Sequence, residues 1–358
     1  MSAGPVGALG RRVGSAERFR PRVVAPAATI GAALFLVAAL LVGIAVGPVH
    51  IGFWEIVQSA LSRIGFLHVG SPLSGTDDTI VWELRFPRVV LGALVGGTLA
   101  LAGVSYQGVF RNPLADPYLL GVGAGAGLGA TIGVVYFGSR QAVPPAAFAG
   151  GVVAVAVAYA IGQAASPRSS GASLLLAGVT IATFFTAVQT FVQQQHADAL
   201  QQVYSWILGG LPNSGWSDVR LVLPYVAVSW IGIVIHRRHL DVLSVGDEEA
   251  AALGVDVRRV RLVVVSLATI GTAAAVAVSG LIGFVGIIVP HGIRLLVGSS
   301  YRLLVPLSVL SGAGFLVLAD VVARTALSPG EIPIGVVTAF CGAPFFAVVL
   351  RTSRRMIG

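Results

Sequence analysis

Residues 111–130, RNPLADPYLLGVGAGAGLGA, place a polar turn with two prolines directly before a run in which nearly every second residue is glycine. Pro113 and Pro117 lack a backbone donor and restrict the residues before them, so the first half predicts a loop. The second half is apolar enough for a helix, yet glycine costs about 1 kcal/mol per position in a helix surrounded by water. This glycine-rich helix therefore needs an environment that supports helices by other means.

The composition of the chain indicates such an environment. The 358-residue chain is 56% hydrophobic and 11% charged, and its mean hydropathy is +0.88. Soluble domains carry about 25% charged residues, so this chain would lack a polar surface in water. A bilayer core offers the backbone no water to bond with, and it favours helix whatever the side chains. We therefore predict an all-α polytopic membrane protein surrounded by lipid.

Long apolar runs recur along the chain. Most are close to 20 residues, about the length at which a helix crosses a bilayer. A shorter apolar piece, 290–298, begins at Pro290 and is interpreted as a separate half-helix. Together they predict about ten transmembrane helices in one domain over 25–352, after a disordered basic cytoplasmic tail over 1–24. The long runs lie at 27–48, 87–108, 118–137, 143–164, 172–192, 219–235, 260–289, 303–321 and 333–350.

Gly121, Gly125, Gly129 and Gly133 repeat every four residues and share one face of the predicted helix. Membrane helices associate through close backbone contact, because lipid provides no hydrophobic drive between them. The repeat predicts tight packing against a neighbouring helix. A face that lines a path or slides during a motion is compatible with the same pattern.

The basic residues indicate an orientation in the membrane. All 23 are arginine, and with a cytoplasmic N-terminus 17 of them fall on the cytoplasmic side and 6 on the outer side. This bias follows the positive-inside rule and places both termini in the cytoplasm. It also accounts for the net charge of +8, which is therefore no argument for nucleic acid binding. The first run is too long for a signal-peptide core, so we expect it to be retained.

No constellation of catalytic or metal-binding residues is visible in the sequence. A phosphate-binding P-loop needs a lysine, which the chain lacks, and no HExxH motif is present. The single Cys341 cannot build a thiolate cluster, and we interpret it as a small hydrophobe buried in the last run. We therefore expect no enzyme activity, no metal and no cofactor in this chain.

The membrane runs are nearly free of carboxylates, which ion-coupled carriers usually keep within the membrane. Asp320 is the exception, and Arg324 follows it by one helical turn, so we expect a structural ion pair between them. The chain therefore looks like a conduit whose driving energy is supplied elsewhere. An ion-coupled secondary transporter is the alternative class, and a membrane scaffold without transport is a third.

Residues 236–261, HRRHLDVLSVGDEEAAALGVDVRRVR, form the longest charged connection between the predicted membrane runs. Asp247, Glu248 and Glu249 suit a helix N-terminus, and Gly254 suits the position after a helix end. A short helix outside the lipid is therefore predicted. It is either a solvated connector or a ledge on which a soluble subunit rests.

Several long blocks carry a family resemblance. In order, they are LRFPRVVLGALVGGTLALAGVSYQGVFRNPLADPYLLGVGAGAGLGA, SLLLAGVTI, SVGDEEAAALGVDVRRVR, SGLIGFVGIIVPHGIRLLVGSSYRLLVPLS, LADVVART and EIPIGVVTAFCGAPFF. They resemble the FecCD- and BtuC-like permeases of type II ABC importers, which take up iron-siderophore, haem and vitamin B12. The resemblance covers roughly residues 30–352.

The resemblance implies a ten-helix permease that works as a dimer, here expected to be a homodimer, in the bacterial plasma membrane. Two cytoplasmic ATPases, which hold ATP and Mg, would bind beneath it, and an extracytoplasmic substrate-binding protein would dock outside. The cargo would be a metal chelate, a ferric siderophore before cobalamin or haem. The ATPase would couple through helices in 244–258, at Gly246, Asp247, Glu248, Glu249, Ala250, Leu253 and Gly254.

The family pattern also implies roles for residues at both mouths of the permease. Asn112 and Leu114, together with Gly171 and Ala172, match the cytoplasmic gate. On the outer side, the resemblance assigns docking of the binding protein to Arg85, Arg88 and Arg324.

A glutamine-rich stretch, 191–210, matches a short outer helix near the dimer axis. Amides can hydrogen-bond a polar chelate without holding it by charge, so these side chains are predicted to line the translocation path. A wet loop followed by an interfacial helix is the alternative. The residues concerned are Gln193, Gln194, Gln195, Gln201 and Gln202.

Overall fold

The computed structural model describes residues 21–63, 72–165, 171–212 and 214–354, and no strand occurs in these ranges. Its α-helices account for most of the described chain. They are Pro21–Ala45 (α1), Phe53–Ser62 (α2), Gly75–Thr79 (α3), Phe86–Phe110 (α4), Val122–Phe137 (α5), Val143–Ala165 (α6), Gly171–Gln195 (α7), Leu200–Ile207 (α8), Trp216–Leu243 (α9), Asp247–Ala252 (α10), Val257–Ser279 (α11), Val285–Val297 (α12), Tyr301–Thr325 (α13) and Ile334–Arg354 (α14).

Long apolar helices dominate this arrangement. In the described residues, 7 helical segments are long and apolar enough to cross a membrane. Three more apolar helices, α5, α12 and the larger part of α14, are shorter. The predicted all-α membrane fold with about ten transmembrane helices is therefore confirmed.

Helix α4 lies at the centre of the bundle and packs against α9, α11, α12 and α13. In the span that contains it, 83% of the most apolar window is buried inside the protein, against 17% for the span of α1. A helix that is apolar on every side belongs in the interior. The family block of residues 84–130 covers all of α4, from Arg85 just before its start to Arg111 just after its end. This helix therefore connects the two ends of the molecule.

The glycine repeat of α5 packs tightly against α6. A Cβ on Gly125 would lie 2.2 Å from the carbonyl oxygen of Gly150, and a Cβ on Gly129 would lie 2.1 Å from that of Ala146. No side chain fits at these distances, so glycine permits a backbone contact that the bilayer makes favourable. The predicted packing is confirmed for Gly125, Gly129 and Gly133. Gly121 lies before α5 with φ 85° and faces Gly178 of α7, so it is not part of this helix face.

The prediction of one continuous membrane run over 260–289 is wrong. Helix α11 ends at Ser279 and α12 begins at Val285. Gly280 and Phe284 both take positive φ angles, 66° and 68°, which break the helix between them.

Pro290 therefore lies inside α12 and does not begin a half-helix. Proline has no amide hydrogen for the carbonyl one turn earlier. That carbonyl, of Gly286, instead accepts a hydrogen bond from Gln107 Nε2 of α4, at 3.3 Å.

Two further expectations concern the ends of the chain. Residues 1–20 of the predicted tail lie outside the described residues, and 21–24 already belong to α1. Cys341 lies on α14 with its side chain exposed. The prediction that it is buried is therefore wrong for the single chain.

Candidate functional site: two charged clusters joined by one helix

Residues 111–116, which we name the gate turn, begin where α4 ends. Arg111 takes a left-handed conformation, with φ 51° and ψ 36°, and so turns the chain out of the helix. The amide of Asn112 still donates to the carbonyl oxygen of Gln107, at 3.2 Å. The Asn112 side-chain oxygen accepts from the amide of Leu114, at 2.9 Å. Side chain and backbone together make this turn a stiff continuation of α4.

Asp116 closes the gate turn. One of its carboxylate oxygens accepts a hydrogen bond from the amide of Tyr118, at 2.7 Å, which starts a 3₁₀ turn over Pro117–Leu120. Burial raises the pKa of the Asp116 carboxyl to about 6. The Tyr118 hydroxyl donates to the carbonyl oxygen of Ile282 at 3.0 Å and accepts from its amide at 3.2 Å. The gate turn is therefore fixed to the break between α11 and α12.

The remaining predicted gate residues begin α7. A Cβ added to Gly171 would lie 3.4 Å from the Phe110 ring, so the start of α7 contacts the end of α4. Leu114 is 47% exposed. The gate role of Asn112, Leu114, Gly171 and Ala172 stays a prediction.

Helix α10 is the short helix predicted from the acidic segment. Asp247, Glu248 and Glu249 occupy its first turn, and Gly254 follows its end with φ 82°. Ala250 is fully buried and joins a core cluster with Leu240 of α9 and Tyr106 of α4. The helix therefore has one face anchored in the bundle.

The other face of α10 is free in the single chain. Glu248 and Glu249 are exposed, and the apolar side chains of Val245 and Leu253 are 60% and 69% exposed. Val245 was not singled out from the sequence, although it adjoins the quoted acidic motif. An exposed surface that combines apolar and acidic side chains suits a protein partner better than lipid.

Asp247 joins α10 to two other elements, in what we name the inner triad of Arg111, Asp247 and Arg261. Nη2 of Arg261, on α11, donates to both carboxylate oxygens at 3.1 and 3.0 Å, and the Arg261 side chain is 3% exposed. Nη2 of Arg111 lies 3.7 Å from Oδ1 of Asp247. One carboxylate therefore connects α10, α11 and the gate turn.

The opposite end of α4 carries a second group, which we name the outer cluster: Arg85, Arg88, Asp320, Arg324 and Glu331. Arg88 donates to Asp320 of α13 at 2.8–3.1 Å. It also donates to both oxygens of Glu331 at 2.8 and 2.9 Å. Asp320 further pairs with Arg324 at 3.5 Å, which confirms the predicted ion pair.

Arg85 and Arg324 bind the end of α1. Arg85 donates to the carbonyl oxygens of Ile44 and Ala45, at 3.1 and 3.2 Å, and Arg324 donates to that of Gly43. The last carbonyls of a helix lack partners within it, so these two arginines act as its C-terminal cap.

The three predicted docking arginines are consequently enclosed. Arg85, Arg88 and Arg324 are 4%, 9% and 2% exposed, so none of them is open at the surface of the single chain, and their docking role stays a prediction. Glu331, which sequence reasoning did not single out, is the more accessible member, with its side chain 33% exposed. Only its position at the start of the EIPIGVVTA block could have drawn attention to it.

Two of the five glutamines predicted to line a path lie at cavities, and each lines a different one. Gln193 lines one of about 470 Å³ beside Thr186, Gln189 and Thr190 of α7. Those three residues were missed, although they lie seven, four and three residues before Gln193, a spacing that places all four on one face of a helix. The wall they form is polar and uncharged.

Gln202 lines a second cavity of about 490 Å³, next to Arg88 and Glu331. Gln194, Gln195 and Gln201 are exposed at the surface of the single chain. In the described residues, no three metal-ligating side chains come together.

An all-helical bundle that crosses a membrane, has an uncharged polar cavity wall and carries a short helix outside the bundle defines a multi-pass membrane transport protein. The chain belongs to the FecCD transport family, whose profile matches residues 34–352.

Similar proteins support this assignment. The chain is 39% identical to the cobalamin import system permease protein BtuC of Halobacterium salinarum, over 92% of this chain and 96% of that protein. It is 37% identical to the iron(3+)-hydroxamate import system permease protein FhuB of Bacillus subtilis, over 78% and 73%. It is 36% identical to the hemin transport system permease protein HmuU of Yersinia pestis, over 80% and 88%.

A solved structure supports the fold as well. A metal-chelate type ABC transporter in an inward-facing conformation superposes with a TM-score of 0.77 at 30% identity, over 91% of this chain and 99% of that chain. The protein is therefore the permease of a type II ABC importer for an iron chelate, haem or vitamin B12. It is a transport subunit and not an enzyme, since ATP hydrolysis in such systems belongs to a separate subunit.

Proposed function

We propose that the exposed face of α10 is the surface on which a separate cytoplasmic ATPase rests. The observation that carries this proposal is the division of α10 into an anchored face at Ala250 and a free face with Val245, Leu253 and two glutamates. ATP and Mg belong to that partner. Its cycle of binding and hydrolysis tilts α10 and so alternates the access of the two mouths.

This assignment fixes the orientation. The α10 end is cytoplasmic, together with both termini, and the outer cluster faces the extracytoplasmic side. The arginine distribution along the chain supports the same direction.

The permease pairs with a second copy of itself. Helix α14 presents apolar side chains to the surface of the single chain, among them Phe340 at 76% exposure beside Cys341. A homodimer would cover part of this face, and lipid would cover the rest.

A substrate-binding protein docks at the outer end. Since Arg88 is occupied by Asp320 and Glu331, a carboxylate of the partner reaches it only by taking the place of Glu331. Such an exchange replaces one carboxylate on Arg88 with another, so it orients the partner more than it adds binding energy.

The cargo is a metal chelate, which passes an uncharged wall of Thr186, Gln189, Thr190 and Gln193. Amides and hydroxyls bind a polar chelate and release it easily. We place cobalamin first and a ferric siderophore second, which reverses the expectation from the sequence. The relatives named for cobalamin and vitamin B12 are 39% identical to this chain, and those named for iron or hemin are 36–37% identical.

Uptake by reconstituted protein tests the function. The complex of this chain with its partner ATPase should accumulate cyanocobalamin, or ferrioxamine B, in proteoliposomes only when ATP is supplied on the α10 side. Accumulation by the permease alone on a proton or sodium gradient would instead identify a secondary transporter. A complex that hydrolyses ATP but moves neither compound, nor haem, would contradict the assigned cargo class.

A crosslink tests the gate. Asn112→Cys, in a background with Cys341→Ala, should crosslink between two copies with a yield that depends on nucleotide. The same yield in every nucleotide state would contradict the gate role of Asn112.

A further inference from the structure

Helix α10 reaches the gate turn through one side chain. Its free face is available to a partner, whereas Ala250 and Asp247 face the bundle. Ala250 only fills space in the core, because it has no polar group. Asp247 is therefore the side chain of α10 that can transmit a displacement through a directional contact.

The two arginines that contact Asp247 hold it differently. Arg261 is buried and makes two short hydrogen bonds, so it anchors the start of α10 to α11. Arg111 is 47% exposed and lies 3.7 Å away, so its contact is looser and can tighten or open. The Asp247–Arg261 contact therefore positions α10, whereas the Arg111–Asp247 distance changes when α10 moves.

The backbone of Arg111 makes this contact relevant to the gate. Its left-handed conformation ends α4, and Asn112 follows directly, held by hydrogen bonds to Gln107 and Leu114. A displacement of the Arg111 guanidinium therefore acts on a stiff turn, directly next to the predicted gate residue Asn112.

We propose that Arg111 is a positioning residue that couples the ATPase to the gate, through Asp247. A movement of α10 changes the Arg111–Asp247 separation, and this biases the gate turn toward its open or closed position. The inference rests on the proposed function of α10, and it adds the residue pair by which that helix acts.

Arg111→Gln is the decisive variant, because it leaves the Asp247–Arg261 anchor in place. We expect the ATPase to stay bound and to hydrolyse ATP, while cyanocobalamin or ferrioxamine B accumulated per ATP falls by about fivefold or more. Arg111→Lys keeps the charge and should restore most of the ratio. Arg302→Gln, which removes an exposed pair with Asp241 at 3.5 Å on the same side, is the matched control and should leave the ratio unchanged.

A second readout needs no cargo. Leu114→Cys with Cys341→Ala reports gate position by its rate of reaction with a water-soluble maleimide. ATP with vanadate should change this rate in the parent, in Arg111→Lys and in Arg302→Gln, and should leave it unchanged in Arg111→Gln.

The outcomes separate the two proposals. A parent complex in which nucleotide alters neither uptake nor maleimide reaction contradicts the proposed function itself. A parent that responds, beside an Arg111→Gln variant with the same response and the same cargo per ATP, overturns only the role of Arg111. A loss of equal size in Arg302→Gln would also overturn it, since the effect would then belong to any surface charge.

Discussion

The two ends of α4 carry ion pairs of opposite character. At the outer end, Arg88 is enclosed and binds two carboxylates with short bonds, and the neighbouring arginines cap α1. At the α10 end, Arg111 is half exposed and reaches Asp247 at 3.7 Å. Both ends belong to one helix of 25 residues, about 37 Å long at 1.5 Å per residue. The difference indicates that the outer end holds the bundle together, while the inner end stays free to adjust.

The largest expected effect is the loss of Arg88. Arg88→Gln leaves Asp320 and Glu331 without their main partner, and breaking a buried pair costs about 3–5 kcal/mol. The melting temperature, measured by tryptophan fluorescence in detergent, should fall by about 5–10 °C. Arg302→Gln serves as the exposed control and should shift it by less than about 2 °C. Equal shifts in both variants would show that the outer cluster does not stabilise the bundle more than a surface pair does.

Asp116→Asn should have a smaller effect of opposite sign. The amide keeps an oxygen for the Tyr118 amide and removes a carboxylate whose pKa burial raises to about 6. A raised pKa means that the folded state binds the proton more tightly, so the parent gains stability as pH falls from about 7 toward about 4. The variant should melt about 2–4 °C higher at about pH 7 and lack this pH dependence. A difference in melting temperature between variant and parent that stays the same over this range would contradict the shift.

Glu331→Gln sharpens the contrast between the two carboxylates. The hydrogen bonds from Arg88 lower the pKa of Glu331 despite partial burial, so its pairing contributes above the ordinary pKa and is lost as pH falls through the lowered one. We expect a loss of about 1 kcal/mol at about pH 7 that shrinks as the pH falls below the ordinary glutamate pKa of about 4.3. Melting curves of parent and variant across this range provide the measurement. A difference that persists in acid would assign the loss to packing and not to charge.

Arg111→Gln should have the smallest effect on stability, below about 1 kcal/mol, because its pair is exposed. The effect should also fade as NaCl rises from about 0.05 M to about 0.5 M, since salt screens exposed charges. The Arg88→Gln shift should stay nearly constant over the same range. A large, salt-independent loss in Arg111→Gln would place both clusters in one class and remove the distinction between them.

Much of the fold could be predicted from the sequence, because hydrophobic length and the lipid environment decide it. The Gly125–Gly150 contact follows from a four-residue repeat, and α10 follows from its acidic start and its terminal glycine. The break at Gly280–Phe284 could not be predicted, because the residues remain apolar across it. Pro290 gave a false boundary, since its missing hydrogen bond is supplied from another helix.

The site was predictable in its chemistry and less so in its exposure. The Asp320–Arg324 pair follows from helical spacing, but the enclosure of Arg85 and Arg324 depends on where α1 ends. The Asp247–Arg111 contact joins residues far apart in sequence, so no local sequence pattern predicts it. Tertiary packing decides which of several arginines a carboxylate meets.

The hydrogen bond from Gln107 to Gly286 makes α12 depend on α4 for a complete set of backbone hydrogen bonds. Alone in lipid, α12 would leave that carbonyl without a donor, because Pro290 provides none. The helix is therefore chemically complete only once α4 lies beside it, with the backbones in close contact at Gly103 and Gly286. The central helix α4 thus supplies the hydrogen-bond donor that the shorter helix α12 lacks.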